Sequence, residues 1–162
     1  MRGRPRRRSG TADRGVAITL NYVLVLGIST ILVTGLLVTG GQFVEDQREQ
    51  VIESEMTVVG SHVAGNLEHV DRLVRAGDVE ATTAAVNQSF QNSLTGTTYT
   101  VRISTGPDEL VITSTRPELT ITVSVDSDIP LQDGAAASGG KITAYYDPDA
   151  ASGDGRLVID NV

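Results

Sequence analysis

The sequence predicts an α+β fold: a long N-terminal helix, part transmembrane and part stalk, followed by a small antiparallel β-sheet or sandwich domain. Three observations predict it. No charged residue occurs over the thirty positions from Gly15 to Val44. An apolar repeat with helical spacing continues from Ile52 to Val74. After Gly77 the period changes to two, with turn residues between short runs. These divide the chain into a basic leader (1–15), a membrane helix (16–44), an amphipathic stalk (45–77) and an acidic β domain (78–162).

The leader holds six arginines (Arg2, Arg4, Arg6, Arg7, Arg8, Arg14) and one acid, Asp13. Its balance is +5, whereas residues 16–162 carry −12. A basic head on an acidic body is what membrane topology produces. Positive flanks stay in the cytoplasm, while Glu45, Asp46 and Glu49 follow the span. The expectation is a single-pass protein of the cell membrane, N-terminus cytoplasmic and C-terminal domain extracellular. An arginine run can also bind nucleic acid, but that reading leaves the adjoining apolar run unexplained, so no nucleic-acid partner is expected.

The span itself is rich in Leu, Ile and Val, and exceeds the roughly 20 residues needed to cross a hydrocarbon core of about 30 Å. Its β-branched residues would weaken a helix in water. In lipid every backbone group must be satisfied internally, so helix is favoured. Ser29, Thr30 and Thr34 are tolerable there because hydroxyls can bond back to helix carbonyls. The chain offers no second segment that could bury such a helix in a soluble core. Gly27, Gly35 and Gly40 do not form a G-x-x-x-G pair.

Ile52, Met56, Val59, Val63, Leu67, Val70 and Val74 recur at a mean spacing of about 3.7 residues. Glu68–Arg72 and Asp71–Arg75 are i,i+4 ion pairs, and Gly77 is a natural stop. Gly60 and Gly65 each weaken the middle by roughly 1 kcal/mol. The stripe serves either packing on the chain's own β domain, expected for Val63–Val74, or assembly with other subunits.

In the outer domain Glu118–Val125 is the clearest strand, with Leu119, Ile121, Val123 and Val125 on one face and hydroxyl residues on the other. Tyr99–Ile103, Leu110–Thr113, Ile142–Tyr146 and Arg156–Ile159 are further strands. Ala84–Phe90 suits strand or helix, with strand preferred. Turns fall at Gly106-Pro107-Asp108, Arg116-Pro117, Asp133-Gly134, Ser138–Gly140 and Asp147–Gly155.

Cysteine is absent, which excludes disulfides, a thiol nucleophile and Cys-ligated zinc. His62 and His69 lie two helical turns apart, beyond the i,i+4 spacing of a metal pair, and read as solvent-facing. The Asp147–Gly155 loop has Ala151 and Val158 where a calcium loop needs ligands. No nucleophile–base motif, phosphate loop or dinucleotide fingerprint appears. No enzyme activity, cofactor or metal is expected. Asn87-Gln88-Ser89 is an N-glycosylation acceptor sequence on the predicted outer side.

Lys141 is the only lysine beside 12 arginines. An acidic, lysine-poor, Thr/Ser/Gly-rich chain resembles the proteins of salt-loving archaea, where acidic surfaces stay soluble under strong screening. Arginine-favouring codon usage gives the same bias.

The apolar run is too long for a Sec signal and no A-x-A site follows it. The Arg6–Arg8 run is followed by Ser9-Gly10-Thr11, unlike a twin-arginine signal. In Asp13-Arg14-Gly15-Val16-Ala17-Ile18-Thr19-Leu20 a basic residue and a glycine directly abut the apolar run. This resembles the class III signal of archaeal type IV prepilins, over residues 6–44. The resemblance implies a cut between Gly15 and Val16 by a prepilin peptidase-like protease, with Arg14 on the leader side. It implies a pilin-like structural subunit, a minor pilin or pseudopilin, whose partners are the membrane and other pilin-like subunits. The alternative is a membrane-anchored extracellular binding or adaptor module that does not polymerise.

Overall fold

The computed structural model describes residues 12–77, 84–150 and 155–162, with side chains from Val16 onward. The polar leader before Ala12, and residues 151–154 of the Asp147–Gly155 turn, lie outside the described residues. The chain is α+β: one helix, α1 (Ala12–Ala76), precedes two small antiparallel sheets. It divides into two compact units, Met1–Asp46 and Gln47–Val162.

In the first unit α1 carries 17 exposed large apolar side chains between Val16 and Val44. Its hydroxyls are satisfied within the helix. Thr30 donates to the Leu26 carbonyl at 2.8 Å, Thr34 to Thr30 at 2.8 Å and Thr39 to Gly35 at 2.9 Å. This back-bonding lets a polar side chain sit in hydrocarbon without an unpaired donor.

The second unit begins one turn before Ile52. Every member of the apolar stripe from Ile52 to Val74 is buried, at no more than 7% exposure. The stripe packs on the chain's own strands along its whole length, beyond the Val63–Val74 portion expected to do so. At about 1.5–3 kcal/mol for each fully buried large aliphatic side chain, this stripe supplies much of the drive that fixes the helix to the sheets. The helix ends where Gly77 donates its N–H to the Leu73 carbonyl at 3.1 Å.

Seven strands follow: β1 (Ala85–Ser89), β2 (Tyr99–Thr105), β3 (Asp108–Thr115), β4 (Glu118–Ser124), β5 (Ala136–Ser138), β6 (Lys141–Asp147) and β7 (Arg156–Asn161). They form a three-stranded sheet of order β1-β6-β7 and a four-stranded sheet of order β4-β3-β2-β5. Alternation places Val101, Ile103, Leu110 and Ile112 of one sheet, and Ile142, Ala144, Leu157 and Ile159 of the other, in one core with α1. Two-residue turns at Gly106-Pro107 and Arg116-Pro117 set the registers Thr105↔Asp108 and Thr115↔Glu118. The ambiguous Ala84–Phe90 segment is strand. Two elements were not expected from the sequence: β5, only three residues long, and a tight hairpin at Leu94–Thr97. In the latter, Leu94 and Thr97 exchange both backbone bonds at 2.8 Å. Thr95 (φ 47°) and Gly96 (φ 81°) occupy the left-handed region that a two-residue hairpin requires.

The two sheets meet at a seam between β5 and β7. The Asn161 side chain spans it, accepting from the Ser138 N–H at 2.8 Å and donating to the Ser138 carbonyl at 2.9 Å. The same edge of β7 also holds the 130–132 segment, where Leu157 donates to the Pro130 carbonyl at 3.0 Å and Gln132 donates to the Leu157 carbonyl at 2.8 Å. β1 and β4 are the edge strands at the two ends remote from this seam. Residues 47–76 of α1 lie between those ends. Gln88 of β1 accepts from Asn66 Nδ2 at 2.6 Å, and Val123 of β4 lies over Gly60.

Candidate functional site

Among the described residues the largest unused apolar surface is the Val16–Val44 stretch of α1. None of its most apolar window is buried, and by length and composition it can cross a membrane. Four glycines, Gly27, Gly35, Gly40 and Gly41, open gaps along it, with nothing within 4 Å of where a Cβ would stand. Small residues of this kind permit close approach of helices in lipid.

The Gly15–Val16 bond lies within the first turns of α1, which begins at Ala12. Val16 is exposed. The side chain of Arg14 lies outside the described set. A protease cutting here must open the helix N-terminus, where the first four N–H groups have no intrahelical acceptor. Gly15, a poor helix former, eases that opening.

Asn87 sits on β1, exposed, opposite Thr143 of β6. Thr143 Oγ1 donates to Asn87 Oδ1. The amide is thus oriented through its oxygen, and the acceptor sequence lies in an extended edge strand.

His62 and His69 are both exposed, and they do not converge. His62 Nδ1 lies 3.2 Å from Gln88 Nε2, and its ring centroid is 6.3 Å from that of Phe90. Beside them a groove of about 410 Å³ runs between α1 and β1, walled by Val58, Val59, Phe90 and Leu94 with Glu55 at its rim. In the Asp147 loop, Asp147 Oδ1 accepts from the Asp149 N–H at 3.0 Å, a local turn contact. Among the described residues no group of three or more His, Asp or Glu side chains is placed to hold a metal ion.

Asp71 has a role that helical spacing alone did not reveal. It is 2% exposed. Besides its expected partner Arg75 at 2.9 Å, it accepts from the Ile129 N–H at 3.1 Å and from Ser127 Oγ at 3.3 Å. Arg75 reaches on to Asp128. One carboxylate thereby ties the β4–β5 connection to α1. The second expected pair, Glu68–Arg72, spans 3.8 Å at the surface. At the other end of the unit, Arg48 donates to the Thr95 carbonyl at 3.0 Å and Thr95 Oγ1 donates to Glu55 at 3.3 Å, holding the tight hairpin on the helix.

No curated protein and no solved structure matches the chain. A protein family of unknown function, DUF7266, matches it over residues 11–158, from the first turn of α1 to the last strand. The chain is therefore a member of the DUF7266 family.

Proposed function

We propose that this chain is a pilin-like structural subunit, a minor pilin or pseudopilin, of a type IV pilus-related surface machine. Its role is assembly, not catalysis. The observation that carries the reading is a division of labour along one helix. From Ile52 to Val74 the apolar side chains are consumed by the chain's own sheets. From Val16 to Val44 they are all exposed. A surface of that kind needs lipid, other helices, or first one and then the other.

The leader explains how one helix serves both. While Arg2–Arg14 remain attached, the basic end holds the N-terminus in the cytoplasm and the acidic domain outside. Drawing those charges through hydrocarbon costs roughly 3 kcal/mol each on insertion scales. Cleavage between Gly15 and Val16 by a prepilin peptidase-like protease removes all six arginines together. The remaining end is apolar and free to leave the bilayer for a bundle of similar helices.

The test is N-terminal mass analysis of chain extracted from membranes, beside a Gly15→Trp variant. A mature wild-type chain beginning at Val16, and a leader-bearing variant, are the expected results. A wild-type chain that keeps its arginines refutes assembly by this route and leaves an anchored binding or adaptor module that does not polymerise.

A further inference from the structure

The two open strand edges of the β domain have complementary sense. β1 leads toward Thr95, which Arg48 holds at the start of the unit. β4 begins after Arg116, whose carbonyl accepts from Thr97 Oγ1 beside that same hairpin. It then passes Gly60 at Val123 and leads on to Ile129 at Asp71. So β1 runs toward the Arg48 end of the helix segment and β4 runs away from it. β1 and β4 are also the edge strands of their two sheets that lie remote from the β5–β7 seam. Two copies side by side in the same orientation can therefore bring β4 of one against β1 of the next as an antiparallel pair.

The backbone groups fit that pairing. Tyr146 donates to the Ala84 carbonyl and Phe90 donates to Gly140. Alternation along an antiparallel ladder then turns the N–H and C=O groups of Ala85, Asn87 and Ser89 outward. On the other edge, Val125 donates to Asp108, which turns out those of Glu118, Thr120, Thr122 and Ser124. Setting Asn87 opposite Thr122 matches outward groups with outward groups along both strands. It also sets Val86 beside Val123 on the inner face.

β4 lacks the devices that guard an isolated edge. It is seven residues long, carries no lysine or proline, and its single charge, Glu118, is at its start. Its inner-face residues Leu119, Ile121 and Val123 are only half-buried, whereas their β3 neighbours Leu110 and Ile112 are fully buried. The apolar groove beside β1 gives that half-covered row somewhere to go. Antiparallel pairing of β4 with β4 of a second copy would reverse one helix segment relative to the other, and parallel β4–β4 pairing, which keeps the direction, gives the less stable ladder per residue.

We propose that β4 of one copy adds to β1 of the next, a head-to-tail contact between β domains. This goes beyond the helix-bundle reading and does not require the leader to be cut, so a failed cleavage test leaves it standing. The chain has no cysteine, which makes the test direct. Full-length Asn87→Cys and Thr122→Cys chains, carrying different tags, are co-expressed and oxidised in their membranes. A hydrogen-bonded antiparallel pair sets Cα atoms about 5.5 Å apart, within disulfide range. The expected result is a mixed-tag disulfide roughly tenfold above that of an Asn87→Cys and Thr113→Cys pair, Thr113 being exposed on the central strand β3. Adding Thr120→Pro, which deletes one outward N–H and leaves the β3–β4 ladder intact, should lower that yield roughly fivefold. A mixed yield equal to the Thr113 control overturns the proposal. So does a homotypic Thr122→Cys disulfide exceeding the mixed one, or a yield unmoved by Thr120→Pro.

Discussion

Gly60 and Gly65 lie five residues apart on α1, and replacing each by alanine should move stability in opposite directions. In an isolated helix both substitutions gain about 1 kcal/mol, because glycine gives up more backbone entropy on folding. At Gly65 nothing lies within 4 Å of the new Cβ, so that gain is expected almost in full. At Gly60 the new Cβ falls 2.8 Å from Ile112 Cδ1 and 2.8 Å from Val123 Cγ2. Both are side-chain ends that can yield, but Ile112 is fully buried and has little room to turn. Overpacking of this kind costs about 1–3 kcal/mol. Set against the helix gain, the net is a loss of about 1 kcal/mol, and the gap between the two variants is about 2 kcal/mol. For a folded unit of this size that separates their melting temperatures by roughly 6–10 °C. The assay is thermal unfolding of the full chain in detergent, followed by near-ultraviolet circular dichroism of the tyrosines, all of whose signal except Tyr22 arises in the second unit. If Gly60→Ala stabilises as much as Gly65→Ala, the close approach of helix and sheet at Ile112 does not limit the fold.

Asp71→Ala strands the Ile129 N–H, while Ser127 keeps its bond to the Ile129 carbonyl at 2.8 Å, and should cost about 1–3 kcal/mol, whereas Arg75→Ala, at a half-exposed cation, should cost less than about 1 kcal/mol; equal losses in chemical denaturation would show that the ion pair, not the backbone tie, matters. Burial pushes the Tyr99 hydroxyl above its usual 10.0, and burial followed by the charges of Asp160 and Asp147 does the same at Tyr145. A raised folded-state pKa favours the neutral form, so this stability is fully present below pH 10.0 and is lost as pH rises above it. Tyr99→Phe, which also gives up a hydrogen bond to the Gln91 carbonyl at 3.1 Å, should lower neutral stability by about 1 kcal/mol and flatten the alkaline decline; an unchanged slope in pH titration of the melting temperature refutes the assignment. With a balance of −12 over residues 16–162, the full chain should melt higher in about 2 M than in about 0.1 M potassium chloride, and equal melting points would assign the acidic, lysine-poor composition to codon usage.

The α+β class, the long helix with its stop at Gly77 and five strands needed only local information. Each rests on a period, a turn dipeptide or a charge-free length that the chain carries in consecutive residues. The stripe from Ile52 to Val74 was equally legible as a stripe, but its partner was not. Periodicity says that a face is apolar and is silent on what covers it; only the packed sheets assign the whole of it to the chain's own core. The same limit applies to the glycines. In sequence Gly60 and Gly65 are equivalent weak points, and they differ because one faces Ile112 and the other faces open space. β5 escaped notice because three residues, Ala136–Ser138, hold no period to read, and it forms where β2 on one side and Asn161 on the other offer partners. Asp71 was visible as one half of a helical ion pair, while its bonds to Ser127 and Ile129 join residues 56 and 58 positions apart. The apolar segment and the Arg14-Gly15-Val16 junction were written in consecutive residues. The free edges of β1 and β4 come from strand order, which alternation within a strand cannot encode, because every strand of a sheet shares the same period of two.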